Sequence, residues 1–315
     1  MRKFIIDTDT ASDDCAALMM ACMTKDIEIM GVTVVAGNVS VEQAGKNAKM
    51  TLEVCGNDAP VFLGAKQPLM HARKETISVH GVDGMGDKGL IHPQGGFAPG
   101  DAVDYILNTV AEYPDEIEIV VLGPVTNVAL AILRDRETMS HVKRIWSMGT
   151  PGFGPGNATP VAEFNVYIDA EAYKIMLDSG IPVSIAGFDL CVGDIEIDLD
   201  ELAEIAAASP QGAFLKDATA VLLDFNRKTR GQDLIDLPDA VAMACSIWPE
   251  TVADRINVYC YTCIDNGPCY GQVIFYREGS TYESMPDIPG YPDEVITAMD
   301  VEGFTKRFLG MFKEQ

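Results

Sequence analysis

The hydrophobic residues of this chain fall into two alternating kinds of run. Short apolar stretches occur at residues 3–6, 27–35, 118–122, 142–148 and 182–186. Each predicts a strand, most of them buried on both faces. Between them, residues 13–23, 41–54, 125–133 and 170–177 carry apolar positions at helical spacing. Alternation of this kind builds βαβ units. It predicts an α/β protein with an open, mostly parallel sheet and helices on both faces. No repeat, low-complexity tract or linker marks a boundary, so residues 1–315 read as a single domain. In such sheets ligands bind outside the carboxyl ends of the strands, which makes the polar residues just after each strand the candidates for function. Two segments break the rhythm. Residues 64–100 are rich in Gly, Pro and His without periodicity, and a loop that long is usually functional or mobile. Residues 224–239 are charged and irregular.

Composition narrows the function classes. A hydrophobic content of 48% supports a sizeable core, while a formal charge of −24 and a pI near 4.3 argue against nucleic-acid or anionic-membrane partners. No apolar run approaches the ~20 residues of a membrane span, and the opening Met1-Arg2-Lys3-Phe4-Ile5-Ile6 is too short for a signal peptide. A cytoplasmic location is the expectation. The eight cysteines lie mostly in apolar segments, which predicts reduced, buried thiols. Cys260, Cys263 and Cys269 lack the second matched pair of a zinc site, so a strand with buried thiols is expected there.

The sharpest motif is Asp7-Thr8-Asp9-Thr10-Ala11-Ser12-Asp13-Asp14, which follows the first strand and opens the first helix. Asp7 and Asp9 leave one face of an extended chain together. Ser12, Asp13 or Asp14 can cap the helix. Capping explains one acid or two; four carboxylates in eight residues repel one another unless a hard cation with oxygen ligands sits among them. Matching groups recur at other strand ends: Gly37-Asn38, Gly123-Pro124-Val125-Thr126-Asn127, Met148-Gly149, and Asn157 with Glu163-Phe164-Asn165. Asn157, Glu163 and Asn165 are donors and acceptors suited to sugar hydroxyls rather than to a phosphate.

Taken in order, these motifs resemble those of the nucleoside hydrolases. His80-Gly81-Val82-Asp83-Gly84 and Asp239-Ala240-Val241-Ala242-Met243-Ala244 match further elements, and the likeness runs from residue 3 to about residue 275. The resemblance implies hydrolysis of a ribonucleoside to ribose and free base by a water activated at a Ca²⁺. It implies Ca²⁺ ligands at Asp9, Asp14, the main-chain carbonyl of Thr126, and Asp239. It also implies ribose contacts from Asp13, Asn38, Met148, Asn157, Glu163 and Asn165, and a homo-dimer or homo-tetramer. The chemistry agrees, because an oxocarbenium-like sugar is stabilised by surrounding carboxylates. Ca²⁺ acidifies water less than Zn²⁺ does, so a carboxylate should take the proton, with Asp9 as the candidate base.

The sequence departs from the family at one place. Many members carry a histidine just before the late aspartate, where it can protonate the leaving base; here the residue is Pro238. His80 is then the histidine left within a recognisable motif and the candidate acid. Two rival readings remain at this point. Asp7-Thr8-Asp9 after a strand also fits a phosphohydrolase of the haloacid dehalogenase type, although Asp13 and Asp14 lie in the wrong place for its second acidic pair. Pro238 also fits a non-catalytic nucleoside or ribose binder. Base preference is not legible, and Arg227, Lys228 and Arg230 leave room for an anionic substituent on the substrate.

Overall fold

Among the residues described by the computed structural model, 1–74, 76–277 and 291–313, nine strands form one sheet. In chain order the strands are β1 (Arg2–Thr8), β2 (Ile27–Val34), β3 (Val61–Leu63), β4 (Ile117–Val121), β5 (Arg144–Met148), β6 (Val183–Ala186), β7 (Ile197–Asp198), β8 (Leu234–Ile235), β9 (Val252–Thr262), β10 (Val273–Arg277) and β11 (Asp293–Met299). The sheet order is β10-β9-β11-β6-β5-β4-β1-β2-β3, and β7 pairs with β8 apart from it. Every pairing from β3 across to β11 is parallel; β9 runs antiparallel to β11 and to β10. The expected parallel α/β sheet is therefore present, extended by an antiparallel edge.

Strand β1 shows why the sheet is covered on both sides. Phe4 and Ile6 enter one hydrophobic core with the Ser12–Met23, Val41–Val54 and Pro238–Ile247 helices. Ile5 points the other way, into a core built with the Ala102–Glu112, Thr126–Arg134 and Ala170–Leu177 helices. Side chains alternate across a strand, so one residue of register slip would exchange the two cores. Each fully buried Ile or Phe contributes roughly 1.5–3 kcal/mol. A charge at Ile5 would break this arrangement with no partner in reach.

The amino-terminal end of the sheet is tied by a buried carboxylate. Glu118 of β4 accepts from Arg2 Nε at 2.9 Å, Lys143 Nζ at 3.0 Å and Trp146 Nε1 at 2.9 Å. Burial alone would raise its pKa, but these donors outweigh burial and hold it at about 2.

Several elements differ from the sequence reading. Residues 224–239 are not irregular throughout: the Ala220–Arg230 helix runs well into them and stops at Gly231, whose φ of 66° is the left-handed cap that glycine adopts freely. The strands β3, β10 and β11 and the helices Ala102–Glu112, Leu199–Ala208 and Pro210–Ala218 were not anticipated, and β9, expected around Cys260, begins well before it at Val252. The described residues of 64–100 hold only the short Ile77–His80 helix, as their composition implied. No helix among the described residues is long and apolar enough to cross a membrane.

Candidate active site

The chain steps from β1 outward to β2 and β3, then returns to place β4, β5 and β6 on the other side of β1. The carboxyl ends of β1 and β4 thus flank the point where strand order reverses, which leaves a crevice there. The acidic turn after β1 lies in it. Asp14 caps the Ser12–Met23 helix, accepting from Ala11 N at 2.8 Å and from the Thr8 hydroxyl. Ser12 is not the cap; its hydroxyl pairs with His80 Nδ1 at 2.6 Å.

Asp9 sits between two glycines. Its Oδ2 accepts from Asn38 N at 2.5 Å, while its buried Oδ1 has no hydrogen-bond partner among the described residues. A Cβ at Gly123 would lie 2.5 Å from Asp9 Oδ1, and one at Gly37 would lie 2.7 Å from Asp9 Cγ. Only glycine lets both turns close on this carboxylate.

The fourth acid arrives from far along the chain. Pro238 occupies the first turn of the Pro238–Ile247 helix, where its missing N–H costs nothing. Asp239 follows it, and this helix packs on Ser12–Met23. One carboxylate oxygen from each of Asp13, Asp14 and Asp239 lies within 4.8 Å of the others, all buried. Both helices direct their positive amino ends at the cluster. Burial is the main force raising these carboxyls, to about 7 for Asp13 and about 6 for Asp14, and well above the usual range for Asp9 and Asp239. Mutual repulsion adds to it: Asp14 and Asp13 both push Asp9 and Asp239 upward. Among the described residues, the buried Oδ1 atoms of Asp9 and Asp13 have no hydrogen-bond partner. An all-oxygen donor set with orphaned buried acceptors fits a hard divalent cation.

Asp7 does not belong to this cluster, contrary to the expectation of four acids sharing one task. Its Oδ1 accepts from Thr33 Oγ1 at 2.6 Å and Asn127 Nδ2 at 2.8 Å, tying β1 to β2 and to the Thr126–Arg134 helix. The hydroxyl of Thr126 is committed to Asp169 at 2.7 Å, which leaves its main-chain carbonyl for any other role.

A cavity of about 180 Å³ opens on the cluster. It is lined by all six residues anticipated for the sugar: Asp13, Asn38, Met148, Asn157, Glu163 and Asn165. Several also hold the local fold. Glu163 caps the Phe164–Ile168 helix through Asn165 N at 2.8 Å and Val166 N at 3.3 Å; burial raises its carboxyl to about 7 against the pull of those amides. Asn165 Nδ2 donates to the Leu122 carbonyl at 2.7 Å and lies 3.3 Å from Met148 Sδ. Asn38 Oδ1 accepts from Thr76 Oγ1 at 2.7 Å, and Asn157 Oδ1 from Phe164 N at 2.8 Å.

His80 also lines the cavity, buried, with Asp13 Oδ1 3.7 Å from its Nδ1. Burial lowers its pKa to about 4 despite the nearby charges of Asp14 and Asp236, so the ring is neutral at pH 7. Asp83, in the same motif, folds the loop by accepting from Met85 N at 2.7 Å and Asp87 N at 3.1 Å.

Sequence reading expected base contacts within residues 64–100 and 224–239 without naming them; Leu222, Phe225, Asn226 and Asp236 line the cavity from the Ala220–Arg230 helix and the turn after β8. The signal available was the closeness of Asp236 to the late Pro238-Asp239 motif. The basic run offers no obvious anion site. Arg227 pairs with Asp233 and Asp224, Arg230 pairs with Glu196 at 2.6 Å, and neither they nor Lys228 lines the cavity. Trp248 ends the Pro238–Ile247 helix, with the Arg307 guanidinium 5.7 Å from its ring centre. All eight cysteines are free; Cys260 is buried in β9 as expected, whereas Cys269 is exposed beyond it.

Residues 4–306 match the family model described as inosine-uridine preferring nucleoside hydrolase. The chain is 33% identical to uridine nucleosidase 1 of Arabidopsis thaliana over 96% of its own length and 90% of that relative. It is 31% identical to the pyrimidine-specific ribonucleoside hydrolase RihB of Escherichia coli, over 87% of each. Among solved structures, the plant nucleoside hydrolase PpNRh1 superposes with a TM-score of 0.94 at 28% identity, covering 100% of this chain and 99% of that one.

Proposed function

Since the chain belongs to the inosine-uridine preferring nucleoside hydrolase family and is therefore a ribonucleoside hydrolase, we propose that its buried carboxylates hold one Ca²⁺ and that Asp9 is the base. The reaction adds water across the N-ribosidic bond, giving ribose and the protonated free base. The observation that carries the reading is the buried acidic cluster beside the cavity, with orphaned oxygens on Asp9 and Asp13. Asp9, Asp14, Asp239 and the Thr126 carbonyl are the proposed ligands. When bound, the cation supplies positive charge that acidifies an adjacent water and aligns the vicinal hydroxyls of the ribose.

The protein's own groups do the rest. Asn38 N holds Asp9 through Oδ2, leaving Oδ1 to take the proton of the attacking water. Asp13, Asn38, Met148, Asn157, Glu163 and Asn165 grip the ribose, and their oxygens stabilise the positive ring that develops as the bond breaks. Pro238 has no proton to give. His80, neutral at pH 7, assists the departing base by donating a hydrogen bond rather than as a strong acid. Uridine is the first substrate to try, since the Arabidopsis relative is named a uridine nucleosidase and the Escherichia coli one a pyrimidine-specific hydrolase. We read the enzyme as a cytoplasmic homo-dimer or homo-tetramer, which light scattering of the purified protein would check.

The test is release of free base from a panel of purine and pyrimidine ribosides, with elemental analysis of the same preparation. Base release with about one Ca²⁺ per chain and no zinc is expected. Failure to cleave any riboside at saturating Ca²⁺ would overturn the reading.

A further inference from the structure

The turn that leaves β5 for the cavity holds one residue in an unfavourable conformation. Thr150 has a φ of 71° and is fully buried. Among the described residues, the other non-glycine positions with positive φ are Asp87 and Asp115. Aspartate visits this region several times more readily than most residues, whereas a β-branched side chain there is an outlier. Pro151 restricts Thr150 further, since a proline ring pushes the preceding residue towards extended backbone. Glycines stand at 149, 152, 154 and 156, so the turn uses glycine freely around this one position. A conformation this costly persists only where its surroundings fix it, and such residues gather at functional sites.

Three attachments fix it, and each leads to a wall of the cavity. Thr150 N donates to the Glu163 carboxylate. Its carbonyl accepts from Phe188 N at 2.9 Å, and its hydroxyl accepts from Gly152 N at 3.1 Å. Glu163 and Phe188 line the cavity themselves. Gly152 starts the path to a third wall. A Cβ there would collide with Asp189 Oδ1, and Asp189 Oδ2 accepts from Phe153 N at 2.8 Å, so this turn is clasped against the Phe188–Cys191 turn after β6. The chain then runs through Gly154-Pro155-Gly156 to Asn157, which lines the cavity. Glycine at 150 would adopt the same φ without strain and keep both main-chain attachments. The hydroxyl is what threonine adds.

We propose that Thr150 is a positioning residue for ribose binding: its hydroxyl pins the Gly152 amide and so holds the turn that carries Asn157 in the shape that meets the sugar. This rests on the ribonucleoside hydrolase reading and concerns the sugar rather than the base.

The experiment measures KM and kcat of Thr150→Gly and Thr150→Ser at saturating Ca²⁺, with thermal unfolding of each. The substrates are uridine and p-nitrophenyl riboside, which have only the ribose in common. In Thr150→Gly, KM should rise at least fivefold, by the same factor on both substrates, with kcat within threefold of wild type. That split is expected because a sugar contact made equally in ground and transition states affects binding alone. The Tm should fall by no more than about 2 °C, since release of the strained φ offsets the lost contact. Thr150→Ser keeps the hydroxyl and should hold KM within twofold of wild type. A rise below fivefold in Thr150→Gly would overturn the proposal. A serine variant as impaired as the glycine one would also overturn it, by assigning the effect to the methyl group. Unequal factors on the two substrates would place the effect at the base instead, and a joint loss of kcat and Tm would reduce Thr150 to a structural residue. If the wild type cleaves neither riboside, the hydrolase reading fails instead.

Discussion

Replacing Gly37 by alanine tests whether the position of the Asp9 carboxylate governs turnover. An alanine Cβ there would lie 2.7 Å from Asp9 Cγ and 2.9 Å from Asp9 Cβ, and closer still to Oδ2. Ordinary contacts begin near 3.4 Å, so the carboxylate must move by about 0.7 Å or more. It has nowhere convenient to go, because Gly123 closes on its other side and Asn38 N holds Oδ2. A displacement of about 1 Å in a catalytic group costs on the order of a hundredfold in rate. Gly37→Ala should therefore lower kcat/KM for uridine roughly 30- to 100-fold at saturating Ca²⁺. Gly37 has no positive φ, so the backbone itself tolerates the change, and overpacking should cost about 1–3 kcal/mol of stability at most. The assay is base release with parallel thermal unfolding. Gly96→Ala, where the new methyl meets nothing within 4 Å, is the control and should match wild type. A Gly37→Ala enzyme within threefold of wild type would refute the claim that Asp9 is held in place by this turn.

Three further outcomes are expected. Asp9→Asn should keep the fold yet lower turnover by several powers of ten, since it removes the proposed ligand and proposed proton acceptor together; activity within about tenfold of wild type would exclude Asp9 as base. His80→Ala should slow uridine and inosine much more than p-nitrophenyl riboside, whose leaving group departs without help, and equal losses would mean that His80 positions the sugar or the loop instead. Glu118→Gln should lower the Tm at pH 7. Glu118 has its pKa depressed from 4.5 to about 2, so its ionised form stabilises the fold above pH 4.5 and that contribution disappears as pH falls through about 2. The Tm deficit of the variant should accordingly shrink between pH 4.5 and 2, and a deficit independent of pH would assign it to packing.

The parts of the fold that were legible are those where local pattern and tertiary environment agree. Strand β4 is buried at every position, so apart from its paired Glu118 it reads as an apolar run. Strand β9 lies in the antiparallel edge and exposes Ala253, Asp254 and Arg255, which hides its first half among polar residues and leaves only the part around Cys260 legible. The Ala220–Arg230 helix was obscured because its charged carboxyl end ran into an acidic turn. The acidic motif after β1 was readable because strand, turn and helix start follow one another in sequence. Asn226 and Asp236 were not, since their place at the cavity depends on a helix docking from over two hundred residues away. His80 was readable as a candidate, but its burial and neutral ring follow only from packing against Ser12 and Asp13.

The acidic cluster joins the first helix of the chain to one that is made much later, and this has a consequence for biogenesis. A ribosome delivers Asp9, Asp13 and Asp14 long before Asp239, and domains acquire structure as synthesis proceeds. Until the Pro238–Ile247 helix emerges, the early acids stand in an open crevice where water can screen them. Docking of that helix then buries carboxylates of like charge together, which opposes the closing step. A cation captured at that moment would free the final association from its own repulsion and stabilise the finished protein by mass action. Metal supply would then act on yield as well as on rate: cells starved of the ion would accumulate chains arrested before closure, exposed to proteases along the Ser12–Met23 helix.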